Sequence, residues 1–131
     1  MIVLNHPIVM QHPTNPDNWI LVEPFRYVQD DVIDTIPAGF VTDFASIPRV
    51  FWNIISPVEL GDIGPIKHDW KYRNGFGTRK GADDQFWTDM KNDGIGWWKR
   101  KTAYCLVRAC GGSSWNSGKI IIEELKGDTH V

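Results

Sequence analysis

The stretch Pro65-Ile-Lys-His68-Asp69-Trp-Lys-Tyr72-Arg-Asn-Gly-Phe-Gly-Thr78-Arg-Lys-Gly-Ala-Asp83-Asp-Gln-Phe86-Trp87-Thr-Asp-Met90 decides how the rest of the chain is read. Pro65 suits the first turn of a helix, where its missing N–H costs nothing. On that helix Ile66, Asp69, Trp70 and Arg73 fall on one side, with Gly64, His68 and Tyr72 on the neighbouring one. Asn74-Gly-Phe-Gly77 ends it, and Thr78 is a natural N-cap for a second helix. There Asp83, Phe86, Trp87 and Met90 recur at i, i+3, i+4 and i+7, so a carboxylate sits on the apolar stripe until Asp93-Gly94 stops the helix. The short connection predicts an antiparallel helix pair.

Outward from this pair, a third helix is expected from about Trp97 to Cys110, with Ala103, Leu106, Val107 and Cys110 on its core face and Gly111-Gly112 beyond its end. Ser113 to Gly118 reads as a loop, Ile120-Ile-Ile122 as a short strand, and Lys126 to Val131 as a tail. Upstream the period is that of strands. Trp19 to Glu23, Phe25 to Val28 and Val32 to Ile36 are β-branched and aromatic, with Asp30-Asp31 as a turn and Pro37-Ala-Gly39 closing the last run. The predicted class is α+β in a single domain over residues 1–131. A small N-terminal antiparallel β-sheet (1–44) packs against a three-helix C-terminal half (61–112), and 113–131 adds the loop, short strand and tail.

Length and composition bound the function. The chain has 131 residues, 14 Lys+Arg against 16 Asp+Glu and a formal net charge of -2. It therefore lacks the basic surface that phosphate neutralisation demands, and nucleic acid is not an expected partner. Cys105 and Cys110, five apart on a helix, point in different directions and read as two buried thiols, which suits synthesis in a reducing cytosol. No signal-peptide pattern and no run of transmembrane length is visible. Seven Trp, six Phe and three Tyr are more large rings than a short chain easily hides. Trp52, Trp70, Phe86 and Trp87 are assigned to core walls. Trp97 and Trp98, beside Lys99-Arg100-Lys101, are read as a half-buried helix start, and together with Trp115 they are also candidates for a partner or membrane surface.

The candidate chemistry lies in the opening stretch. Asp83 on an apolar stripe costs several kcal/mol unless it is paired, and across an antiparallel pair its natural partner is His68. A carboxylate on one ring nitrogen fixes the tautomer and leaves the other able to take a proton from water, which makes His68 and Asp83 the candidate catalytic residues. Asp69 diverges from His68 by about 100° and can serve an adjacent task such as holding a metal. Tyr72 is a supporting residue, packed along the same face with its hydroxyl within reach of Asp83. A His bonded to a buried Asp also serves as a structural tether, and the spacing leaves both roles open. Thr42, Asp43, Ser46 and Arg49 are crowded into eight residues between apolar ones. Thr42, Ser46 and Arg49 suit turn capping and loop tying, while Asp43 can join Asp69 and the carbonyls near Gly61 and Gly64 around a hard cation. No zinc spacing, phosphate loop, nucleophile elbow or dinucleotide fingerprint occurs.

Three ordered blocks, Pro37-Ala-Gly-Phe-x-Thr-Asp-Phe-Ala-Ser-Ile-Pro-Arg49 followed by Trp52, then His68-Asp-Trp-x-Tyr72, then Ala82-Asp83-x-x-Phe86 and Met90, closely resemble the phage and prophage family called domain of unknown function 1353. The resemblance spans about residues 25 to 112 and implies a phage or prophage origin. A second likeness is local: His68-Asp-x-x-Tyr72-Arg-Asn and Asp83-x-x-Phe-x-x-Asp-Met90 are similar to the two catalytic helices of prokaryotic phospholipase A2. That likeness implies that His68 activates a water, Asp69 binds calcium and Asp83 orients His68; the helix-joining disulfides and a clear Gly-rich calcium loop are missing here. Two functions are therefore expected in competition. One is a phage-encoded metal-assisted hydrolase acting on a lipid or cell-envelope bond, with a divalent cation, calcium favoured. The other is a non-catalytic virion, tail or host-interaction protein, made in the host cytoplasm and carried in the virion, in which the His/Asp pair is structural. The hydrolase reading expects His68 and Asp83 at the floor of an open cleft.

Overall fold

The computed structural model describes residues 1–16, 18–43, 51, 60–75 and 77–116. Two compact units meet in sequence at Asp43 and Phe44, where the periodicity of the chain changes. The architecture is α+β, with strands in the first unit and helices in the second.

Among its described residues the strand unit holds six short strands, β1 (Ile2–Val3), β2 (Val9–Gln11), β3 (Trp19–Leu21), β4 (Phe25–Gln29), β5 (Val32–Ile36) and β6 (Val41–Thr42). They form two three-stranded antiparallel sheets, ordered β1-β4-β5 and β2-β3-β6, where one small sheet was expected. The β4–β5 hairpin is the clearest product of local sequence. Gln29 pairs with Val32, leaving Asp30 and Asp31 as a two-residue turn with φ of 52° and 62°. Two successive left-handed residues match the twist of a hairpin, and Asp tolerates that region better than most. Leu21, Phe25, Tyr27, Ile36 and Phe40 are buried. Tyr27 stacks at 5.3 Å on Phe25 and donates its hydroxyl to Asp34 at 2.9 Å. Strands β1, β2 and β6 are only two or three residues long. Their pairing is set by neighbours rather than by a periodic pattern, which is why sequence reading passes over them.

The helical unit holds α1 (Ile63–Asn74), α2 (Arg79–Asn92) and α3 (Trp97–Cys110), followed by a further helical turn over 112–116 where a loop was expected. Pro65 lies in the first turn of α1, and Gly75 closes that helix in the left-handed conformation at φ 65°. Thr78 caps α2 as expected, its hydroxyl accepting the Gly81 N–H at 3.0 Å. Leu60, Phe86, Met90, Ala103 and Val107 form one apolar cluster, with Phe51, Ile95 and Leu106 packed on it.

Residues 63–69 of α1 are buried without a break, so its first two turns are enclosed all round rather than on one stripe. Gly64 belongs to this enclosed helix, on the side shared with His68 and Tyr72. A side chain there would come within 3.3 Å of the Phe86 ring, so its absence lets α1 and α2 approach closely. Residues early in α1 meet residues late in α2, making the pair antiparallel.

Three expectations about exposure are corrected. Cys105 and Cys110 are free and exposed, not buried. Trp97 and Trp98 are 61% and 66% exposed, not half-buried. Trp70 and Trp87 are only partly buried, whereas Phe86 is a core wall as expected. Trp52 and the Ile120–Ile122 strand lie outside the described residues.

Candidate functional site

The centre of the helical unit is a buried polar network on Asp83. Its Oδ1 lies 2.7 Å from His68 Nε2 and accepts the Tyr72 hydroxyl at 2.6 Å, while Oδ2 accepts Arg108 Nη1 at 2.8 Å. Arg79 extends the network, donating Nε to the Tyr72 oxygen at 3.2 Å and Nη2 to the carbonyls of Val107 and Arg108 at 2.7 and 2.6 Å. One guanidinium thus ties α2 to the last turn of α3, sharing the Val107 carbonyl with the Gly111 N–H. The imidazole of His68 is sandwiched between Tyr72 and Phe86, with ring centroids 4.2 and 4.7 Å away.

Burial pushes the Asp83 carboxyl up, but the hydrogen bonds from His68, Tyr72 and Arg108 overcome it and hold it below the ordinary carboxylate range. An ionised carboxylate only accepts, so His68 Nε2 carries the proton in this bond. Tyr72 is pushed well above the ordinary phenol range, first by burial and then by the adjacent carboxylate, and therefore stays neutral. The other ring nitrogen, Nδ1, faces Asp69 with 4.0 Å between Nδ1 and Oδ1.

The pair is enclosed. His68 is 2% exposed, Asp83 0% and Asp69 9%, so the expected open cleft is not what the described residues form. Asp84 points outward, bonded to Lys80 at 2.7 Å and to Tyr104 at 2.6 Å. Trp115 sits edge-on against Tyr72 at 5.3 Å, placing it beside the buried network, at the opposite end of α3 from Trp97 and Trp98. Thr42 is buried in β6, and Asp43 follows it in the strand unit. Ser46 and Arg49 lie outside the described residues. Among the described residues, no group of three or more His, Cys, Asp and Glu side chains could hold a metal, and no helix is long and apolar enough to cross a membrane.

The family model described as "Protein of unknown function (DUF1353)" matches residues 19–107, more than half of the chain and all of the buried network except its outermost Arg108. The chain belongs to that family. The chain is also 31% identical over 93 residues to the uncharacterized protein y4jT of Sinorhizobium fredii (strain NBRC 101917 / NGR234), an alignment covering 70% of this chain and 27% of that relative. The chain thus spans well under half the length of the curated relative it matches. No solved structure matches.

Sequence reading missed a second buried polar pair in this DUF1353 chain. Lys67 Nζ lies 3.0 Å from Asp89 Oδ2 with both side chains 1% exposed, and Gln85 adds a bond to Oδ1 at 2.9 Å. Asp89 lies six residues beyond Asp83 on α2, so this pairing follows from how the enclosed helices pack rather than from the register of His68 with Asp83. Sequence reading also missed Arg79 and Arg108, whose partners lie on other helices. Gly111 lies against the same network, since a Cβ there would stand 2.6 Å from the Val107 carbonyl and 2.8 Å from the Tyr72 hydroxyl. Gly111→Ala is therefore expected to lower stability by roughly 1–3 kcal/mol through overpacking, read as a drop in the urea midpoint at unchanged slope.

Proposed function

We propose that the helical unit carries the general base of a phage-encoded, metal-assisted hydrolase acting on a lipid ester or cell-envelope bond. The observation that supports this best is the orientation of His68. With Nε2–H held by Asp83, the basic lone pair lies on Nδ1, and Nδ1 faces the Asp69 carboxylate. In this reading a water reaching Nδ1 past Asp69 gives its proton to that nitrogen, the resulting hydroxide attacks the acyl carbon, and the imidazolium returns the proton to the leaving oxygen. Asp83 stays ionised and stabilises the imidazolium, while Tyr72 and Arg108 fix the carboxylate. A divalent cation at Asp69, calcium by preference, would supply electrostatic stabilisation of the developing oxyanion, taking its remaining ligands from carbonyl oxygens and water. The arrangement of His68, Asp69, Tyr72 and Asp83 suits the roles implied by the likeness to prokaryotic phospholipase A2.

The second reading is a non-catalytic phage protein in which the network locks three helices together. The near-complete burial of His68 and the three side-chain donors on Asp83 favour it.

The two are separated by assaying phospholipid vesicles and purified cell-wall fragments with and without calcium. The hydrolase reading expects calcium-dependent turnover that falls by about 10²-fold or more in His68→Asn. It also expects calcium to raise the unfolding temperature of the wild type and not of Asp69→Ala. Absence of turnover together with absence of a calcium shift leaves the structural lock as the function of the pair.

A further inference from the structure

The N-terminal half of α3 has a surface that the buried network does not use. Trp97 and Trp98 are 61% and 66% exposed, and Lys99 and Lys101 are exposed beside them. The N-terminal half of the helix carries three cationic side chains, Lys99, Arg100 and Lys101, and no acidic one, while Arg108 in the last turn is paired with Asp83. This local charge runs against the formal net charge of -2 for the whole chain. At 100° per residue, Trp97, Trp98, Lys101 and Cys105 share the outward face, opposite the buried Ala103 and Val107. Lys101 also borders a groove between α2 and α3, about 390 Å³ in volume and lined with Asp84, Trp87, Thr88 and Tyr104. Within it Trp87 meets Tyr104 edge-on at 5.9 Å, and the Arg100 guanidinium covers the Trp87 ring at 4.6 Å. Among the described residues that line the groove the carboxylate is Asp84, which is bonded to Lys80 and Tyr104 and so does not offset the positive charge of α3 toward a ligand.

We infer that this face of α3 is a docking surface for an anionic lipid layer. Two adjacent exposed indoles are apolar bodies with an N–H that suits the headgroup boundary, and lysine stems lie along apolar surface while their ammonium groups reach phosphate. A neutral protein partner offers no counter-charge to Lys101 beside the indoles, and a nucleic acid would leave the indoles without a layer to enter. The surface belongs to α3 and works whether or not His68 is catalytic.

Co-sedimentation with vesicles tests the assignment, using phosphatidylcholine alone against phosphatidylcholine mixed with phosphatidylglycerol. The wild type is expected to bind the mixed vesicles, to lose binding as salt rises and to bind phosphatidylcholine weakly. The double variant Lys99→Glu/Lys101→Glu should weaken binding by about tenfold or more, at roughly 1 kcal/mol per basic residue near the surface. Trp97→Ser/Trp98→Ser should weaken it comparably without lowering the unfolding temperature, since both positions are exposed. His68→Asn should bind as the wild type does. Equal binding to both vesicle types, no binding, or tryptophan variants that bind normally overturns the proposal. So does a wild-type dimer in light scattering that the tryptophan variant dissolves while vesicles stay unbound, because the face is then covered by a second copy.

Discussion

Asp83→Ala is expected to destabilise the protein by roughly 3–5 kcal/mol, the cost of breaking a buried charged network from its centre. The substitution removes the acceptor for His68, Tyr72 and Arg108 together. His68 and Tyr72 are 2% and 4% exposed and cannot turn to water, whereas Arg108 is only partly buried and can. Asp83→Asn keeps the shape and one acceptor oxygen, so a smaller loss is expected, about 2 kcal/mol. The pH dependence separates charge from shape. The folded carboxyl titrates below its unfolded value, so its stabilisation is fully present above the ordinary carboxylate pKa of about 3.9 and is lost as pH falls through the depressed folded value. Urea unfolding should therefore show the wild type ahead of Asp83→Asn at neutral pH, with the gap closing on acidification below about pH 4. A gap that holds constant into acid would mean that shape, not charge, carries the contribution.

Breaking the Lys67–Asp89 pair from one side should have an effect of similar size. Both side chains are 1% exposed, so Asp89→Ala leaves an ammonium in the interior and is expected to cost roughly 3–5 kcal/mol. The double substitution Lys67→Met/Asp89→Leu removes both charges at similar volume. It is expected to recover most of that loss and to lie within about 1–2 kcal/mol of the wild type. Gln85 loses its bond to Asp89 in either case, but it is only partly buried and can turn to solvent. A double variant no more stable than Asp89→Ala would show that the pair positions the helices rather than merely offsetting its own burial.

These two networks show where sequence reading reached and where it stopped. Asp83 was conspicuous because it interrupts an apolar stripe, and the short Asn74–Thr78 connection left few partners besides His68. Lys67 and Asp89 were not conspicuous, because Lys67 neighbours polar residues and Asp89 lies beside the stripe rather than on it. Their burial follows from the enclosure of α1 on all sides, which a one-stripe pattern does not announce. The exposed Trp97 and Trp98 went the other way. Composition argues for burying indoles, but the first turn of α3 projects them away from the Ala103 and Val107 face.

By itself the sequence determined the elements whose signals are local. The Asp30-Asp31 hairpin, the Thr78 cap, the glycine after α1 and the period of α2 depend on backbone preferences within a few residues. The antiparallel meeting of His68 with Asp83 was legible for the same reason, since a tight connection leaves the second helix few ways to return. Tertiary structure decided what depends on distant residues. The split of six short strands into two sheets, the recruitment of Arg79 and Arg108, the burial of Lys67 with Asp89 and the enclosure of His68 are of this kind. A polar side chain finds its partner, and loses its water, only when elements far apart in sequence pack together.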